Sequence, residues 1–254
     1  MIALTVAGSD SGGGAGVQAD LKTFAALGVY GTSAITAITA QNTLGVRAIH
    51  AIPPEMVAAQ IAAVREDFDV AAVKIGMLAT PEIVVAVARA LSGARAVVYD
   101  PVMVASSGDA LMREGFVEAA KSLFPRLALL TPNLAEAARF LGGAEARTEA
   151  DMAAQGAALV ALGARAVLMK GGHLDGEAVD FLVTAQGAHR FAAPRIASRN
   201  LHGTGCVLSS AIAAYIAKGL DLVEAVARGK AFTRQAIENG RALALGKGAG
   251  PLIP

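Results

Sequence analysis

The residues best suited to chemistry stand in one short turn, Asn200-Leu201-His202-Gly203-Thr204-Gly205-Cys206. An apolar and small-residue run, Val207 to Ala217, follows at once and predicts a helix. Small residues bare the backbone at the helix start, where unpaired N–H groups and the macrodipole favour an anion. The turn is therefore a candidate phosphate site. Cys206, a potential nucleophile, is the one cysteine of the chain and falls at this turn.

Other chemistry-bearing residues fall where strands give way to turns. The glycine-rich opening, Gly8-Ser-Asp-Ser-Gly-Gly-Gly-Ala-Gly16, follows an apolar run and precedes a helical one. A dinucleotide fingerprint would sit here, but its third glycine falls on Val17 counted from Gly12 and on Ala19 counted from Gly14. No Gly-x-x-x-x-Gly-Lys-Ser/Thr occurs either. The segment reads as a tight turn, or as bare backbone that meets a flat polar ligand together with Asp10, Asp20 and Gln41. Asp100-Pro-Val-Met103 ends a strand, and Thr131-Pro-Asn133-Leu-Ala-Glu136 follows the next. Asn133 and Glu136 have capping-box spacing. With Asp100 they also offer hard oxygens suited to Mg²⁺ held through water, as a magnesium-nucleotide site requires. Lys170-Gly-Gly-His173 adds a cation beside exposed backbone. His173 and His202 lie in separate loops without metal spacing, which argues against zinc. Arg228, Lys230, Arg234 and Arg241 recur along one predicted helix and read as a solvated face.

The elements that must position these groups alternate. Ile2 to Ala7, Gly31 to Thr39, Val70 to Ile75, Ala96 to Tyr99, Ala128 to Leu130 and Ala166 to Met169 read as buried strands. Ala15 to Leu27, Pro54 to Asp67, Pro81 to Leu91, Glu114 to Leu123, Asn133 to Leu141 and Glu149 to Leu162 carry helical spacing. The alternation predicts a mostly parallel sheet covered on both faces. Ala178 to Thr184 and His189 to Ala193 predict an antiparallel pair, followed by helices over about 204–218 and 222–245. No repeat, linker or composition break divides the 254 residues, which read as one domain.

Composition narrows the partners. A formal net charge of +1 with 17% charged residues supplies no field for nucleic acid or an anionic membrane, so the ligand is expected to be small. Hydrophobic residues make up 54% with no tryptophan, which suits a core of Ala, Val, Leu and Ile. No apolar run reaches the roughly 18 residues of a membrane span. The lone cysteine and the lack of a secretory signal at the amino terminus predict a cytoplasmic protein.

Eight motifs occur in order: the glycine-rich opening, Gln41-Asn42-Thr43, Lys74-Ile-Gly-Met77, Asp100-Pro-Val-Met103, Thr131-Pro-Asn133-Leu-Ala-Glu136, Met169-Lys-Gly-Gly-His173, His202-Gly-Thr-Gly-Cys206 and Gly246-Lys-Gly-Ala-Gly-Pro251. From Ala7 to Pro251 the chain thereby resembles the hydroxymethylpyrimidine/phosphomethylpyrimidine kinases of thiamine biosynthesis, in the ribokinase superfamily. The resemblance implies a three-layer α/β/α sandwich with a mainly parallel central sheet and a small antiparallel edge or flap. It implies phosphorylation by ATP of 4-amino-5-hydroxymethyl-2-methylpyrimidine to its monophosphate and then to the diphosphate, with Mg²⁺ and a homodimer. It also implies roles. Gly203, Thr204 and Gly205 match the anion hole and Cys206 the catalytic base. Gln41 matches the partner of the aminopyrimidine edge, and Gly8, Ala15, Asp20, Met77 and Val104 the rest of that pocket. Asp100 and Glu136 match magnesium positions, and Lys170 with Asn133 the nucleotide site. Leu201 and Val207 depart from the threonines common there. Relatives that also phosphorylate pyridoxal carry a second cysteine near Ala105, so alanine makes pyridoxal the lesser expectation. A catalytically silent pyrimidine-binding protein and an NAD-dependent dehydrogenase are the rival readings; the glycine spacing opposes the latter.

Overall fold

Short apolar stretches with β-branched residues form strands, and the longer segments between them form helices, four of which begin at capping side chains. The computed structural model describes residues 1–103, 114–172 and 176–254. Val104, Ala105 and His173 lie outside the described residues. In chain order the elements are β1 (Ile2–Asp10), α1 (Gly16–Ala26), β2 (Tyr30–Asn42), β3 (Gly45–Ala51), α2 (Pro54–Asp67), β4 (Val70–Ile75), α3 (Pro81–Ala90), β5 (Val97–Tyr99), α4 (Phe116–Lys121), β6 (Leu129–Leu130), α5 (Leu134–Leu141), α6 (Glu149–Ala161), β7 (Ala166–Lys170), β8 (Ala178–Thr184), β9 (Gly187–Ala193), α7 (Thr204–Ala217) and α8 (Leu222–Gly240). Thr80, Asn133, Thr148 and Asp221 each accept a first-turn N–H with their side chain, which stops the helix from sliding past them.

The strands form one sheet in the order β3-β2-β1-β4-β5-β6-β7-β8-β9. From β2 to β7 the pairing is parallel; β3 runs antiparallel at one edge and β8 and β9 at the other. Alternate residues face opposite layers. Val97 and Tyr99 pack with α2 to α6 on one face, whereas Val98 packs with α1, α7 and α8 on the other. This is the three-layer α/β/α sandwich, with antiparallel strands on both edges rather than one. Strand β3 is the addition: most of its side chains are exposed, so it has no buried face for hydrophobic patterning to reveal. Helix α8 ends at Gly240, short of the expected 245, because Asn200 Nδ2 takes the carbonyls of Gly240 and Leu243. Among the described residues no helix is long and apolar enough to cross a membrane.

The order of strands reverses at β1, with β2 on one side and β4 on the other. Polar groups at the carboxyl ends of parallel strands converge beside such a reversal. There Asp10 ends β1, Gln41 is the penultimate residue of β2, Met77 follows β4, Asp100 follows β5, Asn133 follows β6 and Lys170 ends β7.

Candidate active site

These strand ends open into a cleft of about 1040 Å³. Gly8, Ala15, Gln41, Met77, Asp100, Asn133, Glu136, Lys170 and the Gly203–Cys206 turn all line it. Ligand pockets span ~300–1,000 Å³, and this cleft lies at the top of that range.

At the β1 end the glycine-rich turn folds around its own acid. Asp10 accepts the N–H groups of Gly12, Gly14 and Ala15 at 2.8, 3.0 and 2.9 Å, and His202 Nε2 lies 3.0 Å from the same carboxylate. Burial works against its ionisation, but His202 and those N–H groups outweigh it and hold the carboxyl below its usual value. Asp10 lines the cleft and is engaged by the turn and by His202. Gly16 has φ +57°, and a Cβ there would stand 2.2 Å from the Gly8 carbonyl. Only glycine lets the chain turn so sharply from β1 into α1.

The second turn seats itself on the first. Gly203, at φ +87°, is the N-cap of α7, and a Cβ on it would come within 1.9 Å of the Gly14 carbonyl oxygen. Among the described residues no side chain caps α7. The Thr204 N–H donates to the Leu201 carbonyl at 3.2 Å, which removes it from the expected set of anion donors. The N–H groups of Gly205 and Cys206 have no acceptor among the described residues and stand at the positive end of the helix dipole. Burial pushes the Cys206 thiol up to about 11; Lys74 opposes that, while Asp20 and Asp100 reinforce it. In this state Cys206 is a neutral thiol.

Across from the α7 terminus stand the two acids. Asp100 Oδ1 accepts Lys170 Nζ at 2.6 Å and Thr131 Oγ1 at 3.2 Å. Glu136 Oε2 lies 4.0 Å from the same ammonium. Burial raises the Glu136 carboxyl to about 7, against the pull of Lys170 and with the push of Asp100. Asn133 and Glu136 do form the reciprocal capping box, at 2.8 and 2.7 Å. Capping and a place at the cleft wall coexist. A Cβ at Gly205 would lie 3.1 Å from Asp100 Oδ2 and 3.3 Å from Lys170 Nζ, so the uncapped helix end abuts the acid–lysine cluster.

Asp20 corrects the expectation for the pyrimidine pocket. It is fully buried and away from the cleft wall, where it accepts Lys74 Nζ at 2.8 and 2.9 Å, Thr5 Oγ1 at 2.6 Å and Ser210 Oγ at 2.7 Å. It braces β4, β1 and α7 from beneath. Lys74 is a cleft residue that motif reading left without a role; a lone lysine inside the apolar run of β4 was its signal. Lys230 corrects the solvated face of α8: its ammonium reaches Asp180 and the Ala178 carbonyl at the far end of the cleft. Asp180 in turn accepts the Gly171 N–H at 3.1 Å.

An open parallel sheet with an uncapped helix end facing a lysine and two carboxylates, and an amide-lined pocket at the other end of one cleft, defines a small-molecule kinase of the ribokinase-like fold. The comparisons agree. The phosphomethylpyrimidine kinase family matches residues 10–253. The hydroxymethylpyrimidine/phosphomethylpyrimidine kinase of Rhizobium meliloti (strain 1021) is 56% identical, covering 99% of this chain and 96% of its own. The crystal structure of phosphomethylpyrimidine kinase from Clostridium difficile 630 superposes with TM-score 0.82 at 44% identity, covering 93% of this chain and 99% of its own. An ADP complex of Bacillus subtilis pyridoxal kinase superposes with TM-score 0.91 at 36% identity, covering 99% and 96%. The chain belongs to the phosphomethylpyrimidine kinase family.

Proposed function

We propose that this chain, acting as one catalytic unit, transfers the γ-phosphoryl group of ATP to the hydroxymethyl oxygen of 4-amino-5-hydroxymethyl-2-methylpyrimidine. It then transfers a second to the resulting monophosphate, within thiamine biosynthesis. The observation that carries the reading is the single cleft that joins the Gln41 pocket to the α7 terminus and the Asp100–Glu136–Lys170 cluster.

In the first transfer the hydroxymethyl oxygen attacks the γ-phosphorus, the bond to the bridging oxygen breaks, and ADP leaves with that electron pair. Cys206 takes the hydroxyl proton as the thiolate, once its own proton has left to solvent. The transferred group is largely dissociated at the transition state, so position and charge outweigh base strength. The N–H groups of Gly205 and Cys206, with Gly203 fixing the turn, receive its negative charge, and Lys170 with Asn133 meets the nucleotide. Gln41 pairs with the aminopyrimidine edge over Gly8, Ala15 and Met77. In the second transfer the nucleophile is a phosphate oxygen already ionised near neutral pH, since a phosphate monoester has its second pKa near about 6. That step has less need of a base.

The donor set fits Mg²⁺. Asp100 and Glu136 already converge on one cationic centre, the Lys170 ammonium, and two carboxylates suit an ion that keeps water and phosphate oxygens for its other positions. When bound, it would neutralise charge on the triphosphate. A homodimer and a cytoplasmic location complete the proposal.

The test is product formation from purified protein, Mg-ATP and hydroxymethylpyrimidine, with mono- and diphosphate resolved by mass and pyridoxal as a parallel substrate. Monophosphate followed by diphosphate is the expected result. Pyridoxal phosphate alone would transfer the reading to the pyridoxal kinases, and no product from either would favour a silent binding protein.

A further inference from the structure

Two residues flank the side-chain amide of Gln41. His202 Nε2 lies 3.3 Å from one end of it and Thr39 Oγ1 lies 3.2 Å from the other. Each neighbour is already committed elsewhere. His202 Nε2 is 3.0 Å from Asp10 Oδ2, and Asp10 is held ionised by the turn it closes, despite its burial. A carboxylate only accepts, so this imidazole nitrogen carries its proton and donates. Thr39 Oγ1 is 2.9 Å from the Ser9 carbonyl, which also only accepts. The single hydroxyl proton goes there, and the hydroxyl turns a lone pair to Gln41.

Gln41 therefore sits between a donor on the His202 side and an acceptor on the Thr39 side. The oxygen and nitrogen of an amide are nearly equal in shape, so partners decide their order. The structure sets the nitrogen toward His202 and the oxygen toward Thr39. With the protons assigned as above, that is donor against donor and acceptor against acceptor. A half-turn of the amide removes both conflicts, its oxygen sharing the His202 Nε2–H with Asp10 and its nitrogen donating to Thr39, and leaves one lone pair and one N–H for a ligand.

We propose that Asp10, His202 and Thr39 clamp the Gln41 amide with its oxygen on the His202 side and its nitrogen on the Thr39 side, and that this polarity selects a 4-aminopyrimidine over a 4-oxopyrimidine. The inference rests on Gln41 as the partner of the pyrimidine edge. An aminopyrimidine offers an exocyclic N–H donor beside a ring-nitrogen acceptor. The oxo form offers an acceptor beside a ring N–H, the reverse order. An amide free to turn over pairs with either; a clamped one pairs with the first alone and puts the amino group on the His202 side. Asp10, His202 and Thr39 are positioning residues, since they act through Gln41.

The experiment compares steady-state phosphorylation of hydroxymethylpyrimidine and its 4-oxo analogue by the full chain. The variants are Thr39→Val, Thr39→Ser and His202→Phe, each alone and combined with Gln41→Ala. Thr39→Val is the decisive variant because it keeps its shape and lies on β2, away from the α7 turn. It is expected to raise KM for the aminopyrimidine and to narrow the amino-over-oxo preference about tenfold, the factor that ~1.4 kcal/mol corresponds to. KM for ATP should move little. Thr39→Ser should restore the preference, and Thr39→Val should add nothing once Gln41→Ala is present. An unchanged preference in folded Thr39→Val, or losses that add to those of Gln41→Ala, overturns the clamp alone. A wild type that phosphorylates neither pyrimidine overturns the pyrimidine reading and the clamp with it.

Discussion

Replacing Lys74 by methionine should expose how much the buried pair beneath the site contributes to stability. The Lys74 ammonium and the Asp20 carboxylate are both fully buried and meet at 2.8 Å. Methionine keeps most of the side-chain volume but leaves Asp20, among the described residues, with the Thr5 and Ser210 hydroxyls. Removing one partner of a buried pair typically costs about 3–5 kcal/mol. With an unfolding entropy of about 2.1 cal/mol/K per residue over this chain, the melting temperature should fall by roughly 6 to 9 °C. Urea unfolding at pH 7 reads the loss directly, and Lys74→Met/Asp20→Asn, which removes the stranded charge, should recover most of it. A deficit below about 1 kcal/mol, or a double variant no more stable than Lys74→Met alone, would refute the reasoning.

Cys206→Ser should keep nucleotide binding and lose far more of the first phosphorylation than of the second, because only the alcohol needs its proton removed; equal losses in the two mass-resolved steps would contradict the base role. With the thiol near 11, iodoacetamide should label Cys206 slowly at pH 7.5 and faster as the pH rises, so rapid labelling at neutral pH would contradict its burial and its neighbours. Gly203→Ala needs both a left-handed backbone and space already filled by the Gly14 carbonyl; kcat should fall about a hundred- to thousandfold, the usual worth of an oxyanion donor, and near-normal turnover would remove the turn from the mechanism. The lowered Asp10 value contributes stability above the unfolded value near 3.8 that is lost as the pH falls through the still lower folded one. The gap in melting temperature between wild type and Asp10→Asn should therefore close below about pH 4 and stay constant above about pH 6.

Elements with a buried face were legible because burial imposes a period on the sequence. Strand β4 and helix α2 fall at their expected residues, and the polar residues that end the parallel strands do gather at one cleft. Strand β3 was illegible because its mostly exposed side chains are under no such constraint. The misread residues share a different cause. Helical spacing alone sends Lys230 to solvent, whereas its carboxylate lies fifty positions earlier in the chain on β8. Asp20 has the residue type of a ligand contact, but its partners at positions 5, 74 and 210 turn it into a brace. A residue's type announces what it can do; only the fold says which neighbour claims it first.

The order of the strands also bears on how the chain is made. No strand has to enter between two already paired: β2 and β3 extend one side of β1, and β4 to β9 extend the other in chain order. A chain emerging from its amino end can lay down this scaffold as it lengthens. The α7 turn follows a different schedule, because it comes after every strand and closes on a loop whose key contact, His202 to Asp10, joins residues 192 positions apart. Competence to use a nucleotide is therefore acquired after the sheet is complete, so a half-made chain carries the frame of the enzyme without the means to spend ATP.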